Sequence, residues 1–583
     1  MRFIVAIVLF VVAFVGIGLG IAQRTVLAGP DSFTARHDEI ASAPLTLVSG
    51  ATLSALPGTQ TISLASEGPV FMSYGRTDDV LAWIGDASYQ ELQWDPEAEA
   101  LVGDHHSGSA ETVPNPAGSD LWVQEFSGVD ELTRKLNIPA TASLLIASDG
   151  TAGAPSQIAI SWPLDNSAPL SGPLIIGGTV ALLLGLVAFV WAGIETFRTR
   201  GPRRRQPRLP KPPQPPQLKP AKKRKAIEAG AGSSSSSRRR FVSVGILGAA
   251  LVLGGCAPTT LPAVVPTPAG TAPIEAAEEL PPPAVTEAQL SRIVERITTT
   301  VAEADAAQNT NIAKTRLDGP ALAVRSANYT IQKRDSKQAP LAPLPTGEVR
   351  VSLPQQTATW PRTVFAVVTD DEATVAPVAL MLIQDSPREN YRLHYALTLE
   401  PNTVLPQVAA ATIGAPRVPA DSHLGLLAPN QLAIAYGDVL IKGADSEYID
   451  YFNQDSDSLV AQIGADYKAA KAAEFRKVHG TSGKLSFRNE PGAAEPIAFG
   501  TNDAGLIVAV ELIEIERAEP NESGAAINPK GAARALFGKS QTTKGMETSY
   551  SVQLLFYVPP LGGDTTQIEL LGYVQGIVAT REL

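Results

Sequence analysis

The sequence predicts a multidomain membrane protein with two to three transmembrane helices, an outer mainly-β domain and an outer α+β region. Three observations carry that reading. Two apolar runs are long enough to cross a bilayer. A strongly basic, Pro/Ser-rich stretch follows the second of them. The segments on either side contain short strand-like runs punctuated by Gly, Pro, Asn and Asp. At 583 residues the chain has room for several domains.

The first apolar run, residues 3–22, covers a hydrocarbon core of roughly 30 Å at about 1.5 Å per residue. It has no polar face, which disfavours a buried core helix. The small residues Gly20-Ile21-Ala22 keep a cleaved signal peptide open as an alternative to an anchor. The second run, residues 173–195, carries Trp191 near one end, where an interfacial aromatic is expected. Gly16 and Gly20, four residues apart, would let the first span pack closely on a face of Gly177, Gly178 and Ala181.

Between the spans, residues 25–170 form an acidic, strand-rich domain, with "GVDELTRKLNIP" (Gly128–Pro139) expected as its one short helix. Residues 197–240 hold 15 Lys or Arg and one acid, which leaves −25 on the rest of a chain whose net charge is −11. With almost nothing to bury, this basic segment is expected to be disordered and cytoplasmic. That orientation puts residues 25–170 outside and the N-terminus inside. Contact with anionic lipid is an alternative role for the cations. Nucleic acid is disfavoured, because the stretch lacks interleaved aromatics and the outer domains are acidic.

Residues 241–256 then give a fifteen-residue apolar core after Arg238–Arg240, ending in Leu253-Gly254-Gly255-Cys256. This pattern resembles a bacterial lipoprotein signal with its lipobox. The resemblance implies lipidation of Cys256, the chain's one cysteine, at the outer face of a bacterial plasma membrane. A third spanning helix is the alternative, and both place the following residues outside. Residues 257–285 read as a Pro/Ala/Thr-rich tether.

Folded sequence resumes at Thr286, which with Gln289 has the spacing of a capping box. Leu290, Ile293, Val294, Ile297 and Val301 recur at helical spacing, and strand runs follow. The same order, helix then long strands, returns in the second half, with a helix expected over Ser458–Val478. Two α+β units, 286–420 and 421–583, are expected, and their pattern is similar to tandem nuclear-transport-factor-like (NTF2-like) cones. The arrangement as a whole resembles an uncharacterised family of actinobacterial envelope proteins, and that resemblance implies no particular activity.

No catalytic motif, cofactor site or metal site is expected. Asp104–His106 lacks a second ligand cluster and reads as a solvated loop. His394 reads as a hydrogen-bonded strand residue. Asp450–Ser458 lacks the glycine and late Glu of a calcium loop and reads as a helix cap. Asp78-Asp79 and Asp370-Asp371-Glu372 are carboxylate clusters at expected strand ends. The leading expectation is a non-catalytic binding or scaffold module displayed outside the membrane, with envelope proteins or cell-wall components as partners. Its alternatives are a surface receptor for an apolar or glycan ligand and a cell-wall polymer hydrolase.

Overall fold

The computed structural model describes residues 2–27, 29–38, 43–110, 112–164, 169–199, 280–370, 375–401 and 403–583. Cys256, the basic stretch from residue 200 on, the lipoprotein-like signal and most of the tether lie outside the described residues. The chain divides into two compact units, Met1–Ala28 with Ala168–Glu278, and Gly29–Ser167 with Glu279–Leu583.

In chain order the first part contains α1 (Arg2–Thr25), β1 (Ser32–His37), β2 (Leu45–Val48), α2 (Gly50–Leu53), β3 (Gln60–Arg76), α3 (Thr77–Ile84) and β4 (Tyr89–Asp95). It continues with β5 (Ala100–His106), β6 (Gln124–Leu136), β7 (Ala142–Ala147), β8 (Gln157–Pro163) and α4 (Ser171–Thr199). In the first unit, α1 and α4 pack side by side, and both are long and apolar enough to cross a membrane. Glycines set their closeness. A Cβ on Gly20 would fall 2.6 Å from the Ile175 side chain, and one on Gly178 would fall 2.8 Å from Ile17. Gly177 meets nothing within 4 Å, so the expected contact face rotates off it onto Gly178. Residues such as Phe14 and Val187 remain exposed, as lipid-facing side chains would be.

In the second unit, β1–β8 form one sheet in the order β1-β8-β3-β7-β2-β4-β5, with β6 joined to β3. Its outer strands approach each other: the His37 ring on β1 lies 3.1 Å from the Gln90 side-chain nitrogen on β4, next to Gly103 on β5. The sheet is a nearly closed barrel, filled by Ile62, Met72, Leu144, Ile146, Ile160 and Trp162. The segment expected as a helix, Gly128–Pro139, is mostly the strand β6. The seventeen-residue β3 exposes an edge that β6 pairs along, and that ladder overrides the segment's mixed local preference.

The remaining elements are α5 (Glu287–Ala307), α6 (Thr310–Ala313), α7 (Gly319–Arg334), β9 (Val349–Pro354), β10 (Arg362–Val368), β11 (Val378–Gln384), β12 (Arg392–Leu399) and β13 (Arg417–Val418). Then come α8 (Pro429–Lys442), α9 (Ser458–Ile463), α10 (Ala465–His479), β14 (Gly483–Pro491), β15 (Ile497–Gly500), β16 (Leu506–Pro520), α11 (Gly531–Phe537), β17 (Met546–Val558) and β18 (Glu569–Glu582). The capping box at Thr286 and Gln289 is present, with both reciprocal hydrogen bonds. The helix expected over Ser458–Val478 is two helices, broken at extended Gly464. Strands from both halves join one ten-stranded sheet, because β12 pairs with β18 through Thr398 and Tyr573. α5 and its neighbours cover part of one face around Leu290, Ile297, Val364, Val368 and Leu380, while α8 covers another part around Tyr436, Phe452 and Phe556.

Candidate functional site

A densely bonded polar region of the second unit lies where residues 69–125 meet residues 283–392, segments the sequence separates by two apolar runs. Two carboxylates anchor it. Asp79 stands in the first turn of α3, where a negative charge suits the helix dipole. Its oxygens accept from Arg76 Nε at 2.8 Å and from Arg362 Nη2 at 2.6 Å. Arg362 opens β10 fully buried, with its guanidinium 3.7 Å above the Trp360 ring. Trp360 in turn packs on the cluster of Trp83, Trp122, Phe71 and Leu145.

Asp120 is the second anchor, and its side chain has no exposed area. It accepts from Arg316 Nη1 at 2.5 Å, Arg296 Nη1 at 3.2 Å and the Tyr391 backbone N–H at 2.9 Å. Around it, Gln289 donates to the Leu121 carbonyl at 2.9 Å and Arg292 to that of Trp122 at 2.8 Å. Arg388 donates to the Trp83 and Ile84 carbonyls at 2.8 and 2.6 Å, closing the last turn of α3. Burial pushes the Tyr391 phenol beside this seam well above its ordinary pKa. Charges withdrawn from water this far are tolerable only when paired and hydrogen-bonded, and here each carboxylate has at least two donors.

The residues singled out from sequence fall elsewhere. Asp78-Asp79 lies in a helix turn rather than at a strand end, and both oxygens of Asp79 are held by arginines. Asp104–His106 ends strand β5 instead of occupying a loop. His106 stacks on Tyr89 with ring centroids 4.5 Å apart and sits 3.2 Å from Glu91. Among the described residues no cluster of three or more His, Cys, Asp or Glu is arranged to hold a metal. His394 is bonded through Nδ1 to Asp318 at 2.8 Å. Asp457 caps α9 through the Leu459 and Val460 N–H groups and accepts from Tyr436 at 2.7 Å. Asp371 and Glu372 lie outside the described residues.

Near His394, Glu511 accepts from Ser551 Oγ at 2.5 Å, and burial raises its pKa above the ordinary carboxylate value. An apolar groove of about 180 Å³ opens between α7 and the sheet, lined by Val324, Leu341, Pro343, Val378 and Val574. That is below the roughly 300–1,000 Å³ usual for small-molecule sites.

The arginines of the seam escaped the sequence reading. Arg362 opens a largely apolar strand, and a charge at such a strand end is as often exposed as buried, so its burial had no local signal. Asp120, in "GSDLWV", has the composition of an ordinary turn and offers none either.

Fold and contacts define a class: a chain with two potential membrane-crossing helices and a composite body in which two β-rich segments are locked by buried arginine–carboxylate contacts. Residues 281–582, just over half the chain, match the domain of unknown function DUF8094, and the chain belongs to that family. No curated protein matches it.

Proposed function

We propose that the protein is a cell-envelope component anchored in the bacterial plasma membrane, whose composite body is a non-catalytic binding or scaffold module outside it. In this reading the partners are other envelope proteins or cell-wall components. One observation supports its sidedness: residues 29–164 and 280–583 share a seam of buried ionic contacts, as segments on the same side of a membrane would. If α1 and α4 both cross, the segment between them is on one face and the chain leaves α4 on the other. The chain then has to cross again before residue 280. Phe241–Gly255 is the apolar run available between residues 200 and 279 for that return. The sequence allows a lipoprotein-like signal or a third span there, and either satisfies the requirement.

The basic stretch on the other side of α4 supports the same orientation through the preference of Lys and Arg for the cytoplasmic face. If the chain is cut before Cys256, the seam would hold the two products together. The helix-then-strands order, present twice, supports two tandem NTF2-like units within the DUF8094 region. The ten-stranded sheet would then be their shared wall.

Single-cysteine labelling tests the topology. Glu67→Cys, Ser233→Cys and Ser523→Cys, each in a Cys256→Ala background, are exposed to a membrane-impermeant maleimide in intact spheroplasts. Positions 67 and 523 should label, and 233 only after lysis. Labelling of 523 only after lysis would sink the proposal.

A further inference from the structure

The seam consumes most of the buried arginines, but one group of cations is left around open space. Arg334 at the end of α7 and Lys530, Arg534 and Lys539 around α11 line a cavity of about 490 Å³, with Asp335 and Ser540 completing its rim. Their charges are poorly compensated. Arg334 donates to the Ala535 and Leu536 carbonyls, at 2.6 and 3.2 Å, which fixes its guanidinium without neutralising it. Lys539 has Glu582 at 2.8 Å. Lys530 precedes α11 as its extended N-cap and Arg534 lies in the last turn, so two further cations border the same cavity. All four side chains are exposed, in a chain whose net charge is −11.

We propose that this cavity is a binding site for a phosphate ester. A guanidinium fixed by backbone carbonyls presents its remaining N–H donors to phosphate oxygens, and ammonium groups supply unspecific charge. The volume exceeds that of a bare ion and leaves room for an organic portion beyond the phosphate. The same chemistry could come from a soluble phosphate ester or from a phospholipid headgroup. The inference goes beyond the anchoring proposal, and its test works on purified protein whatever the topology.

The full chain in neutral detergent is titrated calorimetrically with glycerol phosphate and with short-chain dihexanoyl phosphatidylglycerol. Glycerol and dihexanoylglycerol serve as phosphate-free controls. Saturable binding of glycerol phosphate is expected, weakened at least about tenfold in Lys530→Glu/Arg534→Glu, since two of four cations reverse sign. Binding of the lipid alone, with the same loss in the variant, identifies a headgroup as the source. Both variant positions are exposed, and an unchanged thermal transition verifies folding, with Arg534→Gln as a milder substitute. No saturable heat from either phosphate compound, or full affinity in the folded variant, overturns the proposal.

Discussion

Removing the Asp120 carboxylate should strongly destabilise the seam. In Asp120→Ala, Arg316 keeps its charge with only 9% of its side chain exposed and loses both contacts to the carboxylate, while the Tyr391 N–H loses its acceptor. A buried ion pair broken from one side typically costs about 3–5 kcal/mol, because the surviving charge is neither solvated nor paired. Arg296, about a third exposed, adds little to that figure. Urea titration of the full chain in detergent, followed by tryptophan emission, reads the effect, since Trp83 and Trp122 lie beside the seam. The urea slope grows with the surface exposed and exceeds the roughly 1–3 kcal/mol per molar of small proteins in a body this large, so the midpoint should fall by on the order of 1 M. The double variant Asp120→Leu/Arg316→Met removes both charges, so it should recover at least half of the loss. A midpoint unchanged in Asp120→Ala, or a double variant worse than the sum of its parts, would refute the view that buried charge pairing holds the two segments together.

Two further expectations concern other parts of the molecule. Gly178→Leu should loosen the α1–α4 pair by about 1–3 kcal/mol through overpacking against Ile17 and Ala13, whereas Gly177→Leu should leave it unchanged. Disulfide trapping between Ala13→Cys and Ala181→Cys, with Cys256 replaced, reports the difference, and equal yields in both variants would contradict the packing face. Burial raises Glu511, so the folded state binds its proton more tightly than the unfolded state does. Its contribution is full below the unfolded value near 4.5 and is lost as pH rises through the higher folded value. Glu511→Gln should therefore gain stability relative to the natural chain between pH 4 and pH 7, and parallel urea midpoints across that range would dismiss the idea.

What the sequence disclosed follows from the range of the forces involved. Hydrophobic periodicity and caps act over a few residues, so the spacing of Leu290, Ile293, Val294, Ile297 and Val301 emerges as the buried face of α5, and Thr286–Gln289 as its capped start. Gly128–Pro139 went astray because its conformation is decided by the edge of β3, roughly sixty residues earlier in the chain. The seam is the extreme of that behaviour. Arg316 and Asp120 are 196 residues apart, and neither is unusual in its local sequence. Leu121 and Trp122 bury themselves on the seam and offer their carbonyls to Gln289 and Arg292. Gln289 has a visible role in its own helix cap and a second one across the seam, where its amide nitrogen is the donor. A local motif thus accounts for the residue's presence and conceals its longer-range contact. The same contact, once known, constrains the topology more tightly than either apolar run alone, because two segments that share buried charges cannot be separated by a bilayer.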